Sequence, residues 1–448
     1  MHTGGQSALL TDLYQLTMAQ AYVHERMAGE AVFTLSVRRL PASRSYLLAC
    51  GLDDVLEFLE NVTFSEDELA YLAGLPHFFP WFIEYLRTFR FTGHVHAVPE
   101  GTPVFADEPI LEITASLPEA QLVETFVLNQ MHVQTMLASK AARVVAAAAG
   151  RAVVDFGLRR MHGTDAGLKA ARAFHIAGVT ATSNVRAGQL YGIPVSGTMA
   201  HSYIQAHSSE LNAFRRFVHL YPGSTLLVDT YGTMAGVENV VRLAQELGDE
   251  FSVSAIRLDS GDLDSLSRSA RARLDESGLA DVRIFASGGL EEHSVRALVQ
   301  AGAPIDGYGV GTAMGVSNDA PSLDMVYKLA EYDGRGRVKT SPGKPVLPGS
   351  KQVFRMERDG IAREDVIARR NEDLEGRPLL HCVMKAGART EAGRESTGDA
   401  RARAARETAS LPVWLRSIEV PPHPYVVRVS DALTKYHANV KEQSSDDL

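Results

Sequence analysis

The chain has 448 residues, of which 45% are hydrophobic, and its formal net charge at pH 7 is −9. This length suits roughly two or three domains with buried cores, and the negative charge argues against non-specific binding to nucleic acid. Its two cysteines, Cys50 and Cys382, are too few for a disulfide scaffold or a cysteine-based zinc site. With no secretion signal and no uninterrupted apolar stretch of about 18 residues, we expect a cytoplasmic protein without a nucleic-acid or membrane partner.

The first 150 residues predict an α+β domain. Apolar residues at helical spacing predict a helix over residues 8–28, and the run at 31–40 predicts a strand. Short helical patterns follow over residues 51–90, and alternation with Pro and Gly over residues 93–116 predicts a small antiparallel sheet. One long helix is expected from Leu117 to Ala149.

Residues 151–325 show a different pattern, in which short apolar runs ending in polar or glycine residues alternate with helical segments. This alternation is typical of parallel βα units. The segment is short beside the roughly 250 residues of a typical (β/α)8 barrel. We therefore predict an irregular α/β barrel, with a doubly wound sheet as the alternative. The predicted strands lie in residues 152–157, 178–183, 193–198, 225–232, 254–262, 283–289 and 306–312.

The remaining residues, 326–448, are expected to return to the N-terminal domain. Residues 329–370 again alternate, with turns in YDGRG and SPGKPVLPG, and predict strands. Residues 388–411 are charged and rich in alanine, which indicates an exposed helix or a mobile connector. The predicted fold is thus α/β: an irregular (β/α) barrel with an N-terminal α+β domain that the strand-rich C-terminal segment and terminal helices complete.

Candidate ligand-binding residues follow the predicted parallel strands, at the edge where α/β proteins bind ligands. Arginines, glycine-rich loops and carboxylates together suit a phosphorylated sugar with a metal-bound pyrophosphate, because glycine loops expose N–H groups to phosphate and acids hold Mg²⁺ or ribose hydroxyls. The residues are Phe156, Arg159, Arg160, Ser183, Asn184, Thr198, His201, Asp229, Thr230, Arg257, Asp259, Ser260, Asp262, Ser287, Gly288, Gly289, Gly309, Gly311 and Thr312.

Three of these segments have a structural as well as a functional interpretation. The glycines of DGYGVGTAMG do not fit G-x-G-x-x-G, so a dinucleotide site is not predicted and a simple turn stays open. In IRLDSGDL, an arginine and two acids beside a buried strand would be costly unless paired or used. His201 could accept a phosphoryl group if an acid oriented its other nitrogen. Its position in the sequence alone does not distinguish this role from a structural one.

Six motifs in sequence order identify a resemblance to a known family. They are TDLYQLTMAQAY, DFGLRRMHGTDAG, SNVRAGQLYGIPVSGTMAHSY, LLVDTYGT, IRLDSGDL and LPGSKQVFR, and the match runs from residue 10 to about 435. The chain closely resembles nicotinate phosphoribosyltransferase, a type II phosphoribosyltransferase. The resemblance implies a homodimer with active sites at the subunit boundary. It also implies synthesis of nicotinate mononucleotide and pyrophosphate from nicotinate and phosphoribosyl pyrophosphate, with ATP hydrolysis and Mg²⁺.

The resemblance also implies how nicotinate would be held. Phe156 would stack on the pyridine ring, and Tyr14 would reach over from the partner subunit. Arg159 would meet the substrate carboxylate or the pyrophosphate. Ser183 stands where related nicotinamide-using enzymes carry an aspartate, which would accept a hydrogen bond from an amide but repel a carboxylate. Ser183 therefore favours nicotinate.

Further positions carried over from the family concern catalysis and phosphate binding. His201 would be the histidine that ATP phosphorylates, and Asp229 its orienting acid. Arg257 and Asp259 would engage the phosphoribosyl group, while the metal ligands stay unassigned. Gly232 and Gly288 depart from the family pattern, in which an acid and a more polar residue are common. The expected phosphate-binding residues are Lys140, Arg143, Ser287, Gly288, Gly289, Gly309, Gly311 and Thr312.

Three other functions are alternatives for this sequence. Quinolinate phosphoribosyltransferase shares the fold but would need extra cations for a dicarboxylate and lacks a segment like GTMAHSY. A barrel lyase or aldolase would need a lysine at a strand end for a Schiff base, and none of the predicted strand ends carries one. A non-catalytic phosphoribosyl-binding regulator is the third, although His201 and Arg257, whose loss would favour it, are both present.

Overall fold

The computed structural model describes residues 7–339 and 346–446. They pack into two compact units, one formed by residues 7–139 with 320–339 and 346–446 and the other by residues 140–319. The domain limits expected from the sequence, at 150/151 and 325/326, stay a prediction.

The first unit begins with the predicted mixture of helices and strands. The helix expected over residues 8–28 is shorter in the structure, where it starts after Asp12 and ends at His24. The single helix expected from Leu117 to Ala149 is wrong in one respect, since it is interrupted where the N–H of Val123 bonds to the carbonyl of Gln121. The elements are α1 (Leu13–His24), β1 (Glu30–Val37), β2 (Leu47–Leu48), α2 (Leu52–Asn61), α3 (Glu66–Ala73), α4 (Pro80–Arg87), β3 (His94–Ala97), β4 (Pro103–Val104), β5 (Pro109–Ser116), α5 (Leu117–Leu122) and α6 (Glu124–Ala147).

The second unit alternates strands and helices, as the sequence predicts for parallel βα units. It starts within α6 and includes 3-10 turns at Leu158–Arg160 and Gly248–Glu250. Its further elements are β6 (Ala152–Asp155), α7 (Thr164–Ile176), β7 (Ala181–Thr182), α8 (Val185–Tyr191), α9 (His201–Gln205), α10 (Glu210–Leu220), β8 (Thr225–Leu227), α11 (Thr233–Leu247), β9 (Ala255–Leu258), α12 (Leu263–Glu276), β10 (Arg283–Ala286), α13 (Glu292–Gln300), β11 (Gly307–Val310) and α14 (Thr312–Gly315).

The strands of the second unit form one parallel sheet in the order β7-β6-β11-β10-β9-β8. Six of the predicted strands are present, but the one expected in residues 193–198 is reduced to a bridge between Val195 and Thr182. Pro194 has no N–H to extend this pairing. Across residues 140–319, no pairing joins β8 to Val195, so the sheet is a curled half-barrel with an open side.

The chain then returns to the first unit. Strand pairing between β1 and β12 and between β3 and β17 completes a seven-stranded sheet, β13-β12-β1-β5-β3-β17-β18, and a second sheet has the order β16-β14-β15-β19. The elements are β12 (Met325–Tyr332), β13 (Arg335–Gly336), β14 (Lys351–Arg358), β15 (Ile361–Arg369), β16 (Arg377–Pro378), β17 (His381–Lys385), β18 (Ala388–Arg389), α15 (Thr397–Ala409), α16 (Val413–Arg416), β19 (Val426–Val429) and α17 (Asp431–Asp446).

Two sequence expectations fall in this returning segment. The turn in SPGKPVLPG lies partly outside the described residues. Residues 388–411 contain α15, which begins with a capping box between Ser396 and Asp399 and buries Ala400 and Ala404. This helix is therefore packed against the unit along one side. None of the helices in the described part of the chain is long and apolar enough to cross a membrane.

A buried ion pair holds the second sheet of this unit together. Arg355 on β14 donates from Nη2 to Asp365 Oδ2 on β15 at 2.6 Å, and both side chains are fully buried. The hydroxyl of Tyr425 donates to Asp365 Oδ1 at 3.1 Å. Burial, together with the neighbouring Asp365 carboxyl, raises the pKa of Glu108 well above its usual range. The charge of Arg355 therefore stabilises the ionised forms of two buried acids, Asp365 and Glu108.

Candidate active site

The carboxyl edge of the half-barrel brings together side chains from separate parts of the chain. Because the strands are parallel and in register, the residues that follow them emerge at the same edge. These residues are Phe156 after β6, Ser183 after β7, Asp229 after β8, Asp259 after β9, Ser287 after β10 and Gly311 after β11.

Arg257, on β9, connects these strand ends. Its Nε donates to Ser287 Oγ at 2.7 Å, and its Nη1 donates to Thr198 Oγ1 at 2.9 Å. Its Nη2 donates to Asp259 Oδ1 at 2.6 Å. The guanidinium carbon also lies 5.3 Å from the centroid of the Phe156 ring, which is cation–π distance. One arginine therefore fixes a cation above an aromatic ring.

Asp259 is the carboxylate of this network. Besides the bond from Arg257, its Oδ1 accepts a hydrogen bond from Ser287 Oγ at 2.5 Å. Burial by itself would raise the pKa of Asp259, but the bond from Ser287 and the charges of Arg257 and His201 outweigh burial, and the pKa is lowered. Asp259 consequently places a negative charge beside the guanidinium at neutral pH.

His201 is held at one ring nitrogen and accessible at the other. It is the first residue of α9, and its side chain is 41% exposed. Its Nδ1 lies 3.1 Å from Thr230 Oγ1, while its Nε2 lies 3.8 Å from Asp259 Oδ2, beyond hydrogen-bond distance. If Nδ1 carries the proton and donates to Thr230, Nε2 keeps its lone pair free for a reaction.

Asp229 contacts the neighbouring loop. Its Oδ2 accepts from the backbone N–H of Asp259 at 3.1 Å and from Ser260 Oγ at 2.5 Å. The described hydrogen bond of the His201 ring is with Thr230. The expected role of Asp229 in orienting His201 stays a prediction. Any such effect would be indirect, because Asp229 bonds to the backbone of Asp259, whose side chain lies near His201.

A flat aromatic surface lies below Arg257. The Phe156 ring is half-buried and packs over Gly309, where a Cβ atom would come within 2.5 Å of the ring. Phe156, Thr198 and Phe285 line a cavity of about 200 Å³ in this unit. An aromatic ring that lines a cavity in this way can stack on a planar heterocycle.

Asp155 was missed in the sequence analysis. It is 1% exposed, and its Oδ1 accepts from the N–H of Gly157 at 2.7 Å. Its Oδ2 accepts from Thr182 Oγ1 at 2.7 Å. Burial raises its pKa although both hydrogen bonds oppose the rise. Asp155 ties β6 to β7 and shapes the turn after Phe156, and an acid inside the apolar run AVVDFG was the available signal.

The glycine loops make close backbone contacts. Gly288 has φ +93°, and a Cβ atom there would lie 1.8 Å from the carbonyl oxygen of Asp259, so no side chain fits. Glycine is therefore required at this position of the chain. Gly289 has φ +65°, and Gly311 precedes the short helix α14, whose first residue, Thr312, is exposed. Their phosphate-binding role, like that of Gly309, stays a prediction.

Lys140 and Arg143 are engaged in buried ion pairs. Lys140 Nζ lies 2.6 Å from Glu292 Oε2 and 2.8 Å from Asp319 Oδ1, and its side chain is fully buried. Arg143 Nε donates to Glu292 Oε1 at 3.0 Å. Burial favours the neutral form of Glu292, but Lys140 and Arg143 lower its pKa overall. A phosphate would have to displace these carboxylates, so the contacts favour a structural role.

The other expected nicotinate contacts lie on exposed or separate parts of the chain. Arg159 and Arg160 are exposed in the 3-10 turn Leu158–Arg160. Ser183 is half-buried, and its N–H donates to the carbonyl of Asp155 at 2.9 Å. Tyr14 lies on α1 in the first unit, with half of its surface exposed. The roles of Tyr14, Arg159 and Ser183 stay predictions.

A larger cavity, of about 490 Å³, lies in the first unit. Of the arginines that line it, Arg377 pairs with Glu357 and Glu407, and Arg403 pairs with Glu395. Because these charges are matched, the cavity offers less to an anionic substrate than the edge of the half-barrel does. Among the described residues, no group of three or more His, Cys, Asp or Glu side chains is arranged to hold a metal ion.

Fold and edge geometry together define a class: phosphoribosyltransferases built on a parallel α/β half-barrel. The sequence model for the nicotinate phosphoribosyltransferase N-terminal domain matches residues 9–132, and the model for the nicotinate phosphoribosyltransferase family matches residues 151–367. The chain therefore belongs to the nicotinate phosphoribosyltransferase family.

Individual relatives agree with this assignment. Nicotinate phosphoribosyltransferase pncB2 of Mycobacterium tuberculosis is 54% identical over 95% of this chain and 92% of its own length. Nicotinate phosphoribosyltransferase of Bacillus subtilis is 43% identical over 78% of this chain and 73% of its own. The crystal structure of human nicotinic acid phosphoribosyltransferase superposes with a TM-score of 0.84 at 28% identity, covering 96% of this chain and 99% of that one.

Proposed function

We propose that this chain makes nicotinate mononucleotide and pyrophosphate from nicotinate and phosphoribosyl pyrophosphate, and that ATP hydrolysis drives the reaction through a phosphohistidine at His201. Nicotinate phosphoribosyltransfer, a step of NAD biosynthesis, follows from family membership. The proposed site and the ATP coupling are supported by the contacts of Arg257, which join Phe156, Asp259 and the vicinity of His201.

Nicotinate binding uses the aromatic surface and the cation above it. The pyridine ring would stack on Phe156, and its carboxylate would be attracted to Arg257 or to the exposed Arg159. Ser183 adds no negative charge, which favours the acid over the amide. We further propose a homodimer in which Tyr14 of a second copy covers the other face of the ring.

The transfer is a displacement at the anomeric carbon of the ribose. The lone pair of the pyridine nitrogen forms the new C–N bond while the C–O bond to pyrophosphate breaks, and pyrophosphate leaves with the bonding electrons. The sugar passes through an oxocarbenium-like state, which the negative charge of Asp259 would stabilise. Arg257 and the glycine loops would hold the phosphate groups and keep the reacting atoms aligned.

Magnesium would enter with its phosphate ligands. Mg²⁺ usually keeps waters and substrate phosphates and takes only one or two protein carboxylates. The segment after β9 fits this requirement, because Asp259 and Asp262 would supply one or two carboxylate oxygens to such an ion. Bound there, the ion would neutralise charge on the leaving group.

The coupling to ATP uses the free nitrogen of His201. With Nδ1 donating to Thr230, the Nε2 lone pair would attack the terminal phosphorus of ATP, and ADP would leave. Water would later hydrolyse the N–P bond and release phosphate. Arg257 lies next to Asp259 and would offset the repulsion between that carboxylate and the incoming phosphoryl group. A cytoplasmic location is part of this proposal.

Labelling with ATP that carries ³²P at its terminal phosphate tests the coupling step. The chain should incorporate an acid-labile, base-stable label, and His201→Asn should abolish it while keeping a slow reaction without ATP. An equal label in the variant would remove His201 from the proposal. Thr230→Val serves as a second variant, since it removes the hydroxyl bonded to Nδ1 and should lower the labelling rate by about tenfold.

A further inference from the structure

A chain of buried hydrogen bonds starts at Asp155, the last residue of β6. Its Oδ1 accepts from the N–H of Gly157 at 2.7 Å, and its Oδ2 accepts from Thr182 Oγ1 at 2.7 Å. Thr182 is the last residue of β7, and both side chains belong to residues that are 1% exposed. One carboxyl group therefore joins the turn after β6 to the end of the neighbouring strand.

The chain of hydrogen bonds continues from Thr182 to Asn184. The N–H of Asn184 donates to Thr182 Oγ1 at 3.0 Å, so the hydroxyl accepts from Asn184 and keeps its own hydrogen for Asp155. The buried Asn184 caps α8, since its Oδ1 accepts from the N–H of Ala187 at 3.1 Å. Its Nδ2 donates to the carbonyl of Gly167 at 3.2 Å. The chain thus reaches the first turns of both α7 and α8.

The two residues proposed to face nicotinate lie within this frame. Phe156 directly follows Asp155, and Ser183 directly follows Thr182. Asp155 and Thr182 are partners in the parallel register of β6 and β7, and adjacent strands lie about 4.7–4.9 Å apart. Because β7 has only two residues, its backbone pairing is short, and the buried side-chain bond adds to it. The bond therefore helps to set the spacing between Phe156 and Ser183.

We propose that Asp155 and Thr182 are positioning residues, which together fix the two side chains proposed to bind nicotinate. Because both are almost fully buried, they act through Phe156 and Ser183 and do not touch the substrate. A buried polar network in which every member has a partner specifies one arrangement of the groups around it. The inference rests on the proposed nicotinate site. The contacts proposed for phosphoribosyl pyrophosphate follow other strands, so loss of the chain should affect nicotinate selectively.

Two substitutions at Thr182 separate this role from a packing role. Thr182→Val keeps the shape but removes the hydroxyl, so that Asp155 and the N–H of Asn184 lose their shared partner. We expect it to raise the KM for nicotinate about tenfold and to leave the KM for phosphoribosyl pyrophosphate within about twofold of the wild type. Thr182→Ser restores the hydroxyl without the methyl group, and its nicotinate KM should stay within about twofold of the wild type.

Thr180→Val is the matched control for this substitution. The hydroxyl of Thr180 donates to the carbonyl of Val153 at 2.7 Å, two residues before Thr182 and outside the chain of hydrogen bonds. The same chemical change there should leave the nicotinate KM unchanged, and thermal unfolding reports the folding of each variant. Should Thr182→Val not fold, Thr182→Cys supplies only a weak thiol donor and should raise the nicotinate KM about threefold. A wild-type KM in that variant would contradict the proposal.

Phe156→Leu separates failure of this inference from failure of the proposed site. A raised nicotinate KM in Phe156→Leu beside an unchanged one in Thr182→Val would overturn the inference alone. An unchanged KM in Phe156→Leu would contradict the proposed nicotinate site and the inference with it. Equal effects of the Val and Ser substitutions at Thr182 would assign the effect to the methyl group. Equal rises in the KM of both substrates would mean a general loss of structure, and either result would overturn the positioning role.

Discussion

At the scale of single residues, Arg257 does more than add a positive charge. Its planar guanidinium bonds to Ser287, Thr198 and Asp259 in three directions and lies over Phe156. Lysine carries the same charge on one ammonium group and cannot reproduce this geometry.

We therefore expect Arg257→Lys to reduce kcat/KM for nicotinate roughly 100-fold, the scale of losing one preorganised group that stabilises charge. Steady-state kinetics of product formation measures this. Arg216→Lys, on an exposed part of α10, is the matched control and should be unaffected. A loss of less than about threefold in Arg257→Lys would show that charge alone is enough.

The pKa of Asp259 makes a second prediction at this scale. Since its pKa is lowered in the folded chain, its ionised form stabilises folding at neutral pH, and this contribution is lost as pH falls through the lowered value. The difference in unfolding free energy between the wild type and Asp259→Asn should be constant near neutral pH. It should shrink only below the usual aspartate range, about pH 4. A difference that already fell between pH 7 and 5 would contradict the lowered pKa.

Not every residue of the site could be predicted. The motifs drew attention to Arg257, Asp259 and Ser287, which the structure joins by hydrogen bonds. Asp155 was missed although an acid inside the apolar run AVVDFG was a local signal of burial. Its bond with Thr182, which lies 27 residues further along the chain, has no counterpart in any local pattern.

At the scale of secondary structure, glycine in β11 determines where the aromatic surface lies. A Cβ atom at Gly309 would come within 2.5 Å of the Phe156 ring, and the ring would have to move. Overpacking of this kind typically costs about 1–3 kcal/mol.

Gly309→Ala should accordingly raise the KM for nicotinate about tenfold and lower the melting temperature by a few degrees, because the ring is displaced within an intact sheet. Nicotinate titrations and thermal unfolding measure the two effects. Gly197→Ala, where a Cβ atom meets nothing within 4 Å, is the control. Unchanged nicotinate KM in Gly309→Ala would show that the Phe156 ring does not contact nicotinate.

The sequence predicted the positions of the strands better than their lengths and their continuity. Alternating apolar runs and helices identified β6 through β11, since burial on both faces gives parallel strands a strong signal. The run at 193–198 has the same composition but makes only one bridge, because its pairing depends on its neighbour and on Pro194. The helical periodicity of the sequence likewise did not indicate the interruption at Val123, between α5 and α6.

At the scale of the whole molecule, the first unit is formed by both ends of the chain. Strand pairing joins β1 to β12 and β3 to β17, contacts between residues far apart in sequence. The sequence indicated that the C-terminal segment returns, but strand order is set by packing and could not be read from it. Arg355 and Asp365 lie in the second sheet of this unit, and both side chains are fully buried.

Removal of one member of that pair should destabilise the unit. Arg355→Met leaves Asp365 buried and uncompensated beside Glu108, so we expect the unfolding free energy to fall by about 3–5 kcal/mol. Chemical denaturation measures the change. Arg358→Met, which removes an exposed pair with Asp359, should cost less than about 1 kcal/mol. Equal effects of the two substitutions would contradict the importance assigned to burial.

The proposed activity is tested most directly by measuring nicotinate mononucleotide formation by the purified chain with phosphoribosyl pyrophosphate and Mg²⁺, with and without ATP. Parallel reactions contain nicotinamide or quinolinate in place of nicotinate. We predict product from nicotinate, a higher rate with ATP, and little from the other two. Product from quinolinate instead would contradict the substrate assignment, and no product from any of the three would favour a phosphoribosyl-binding regulator.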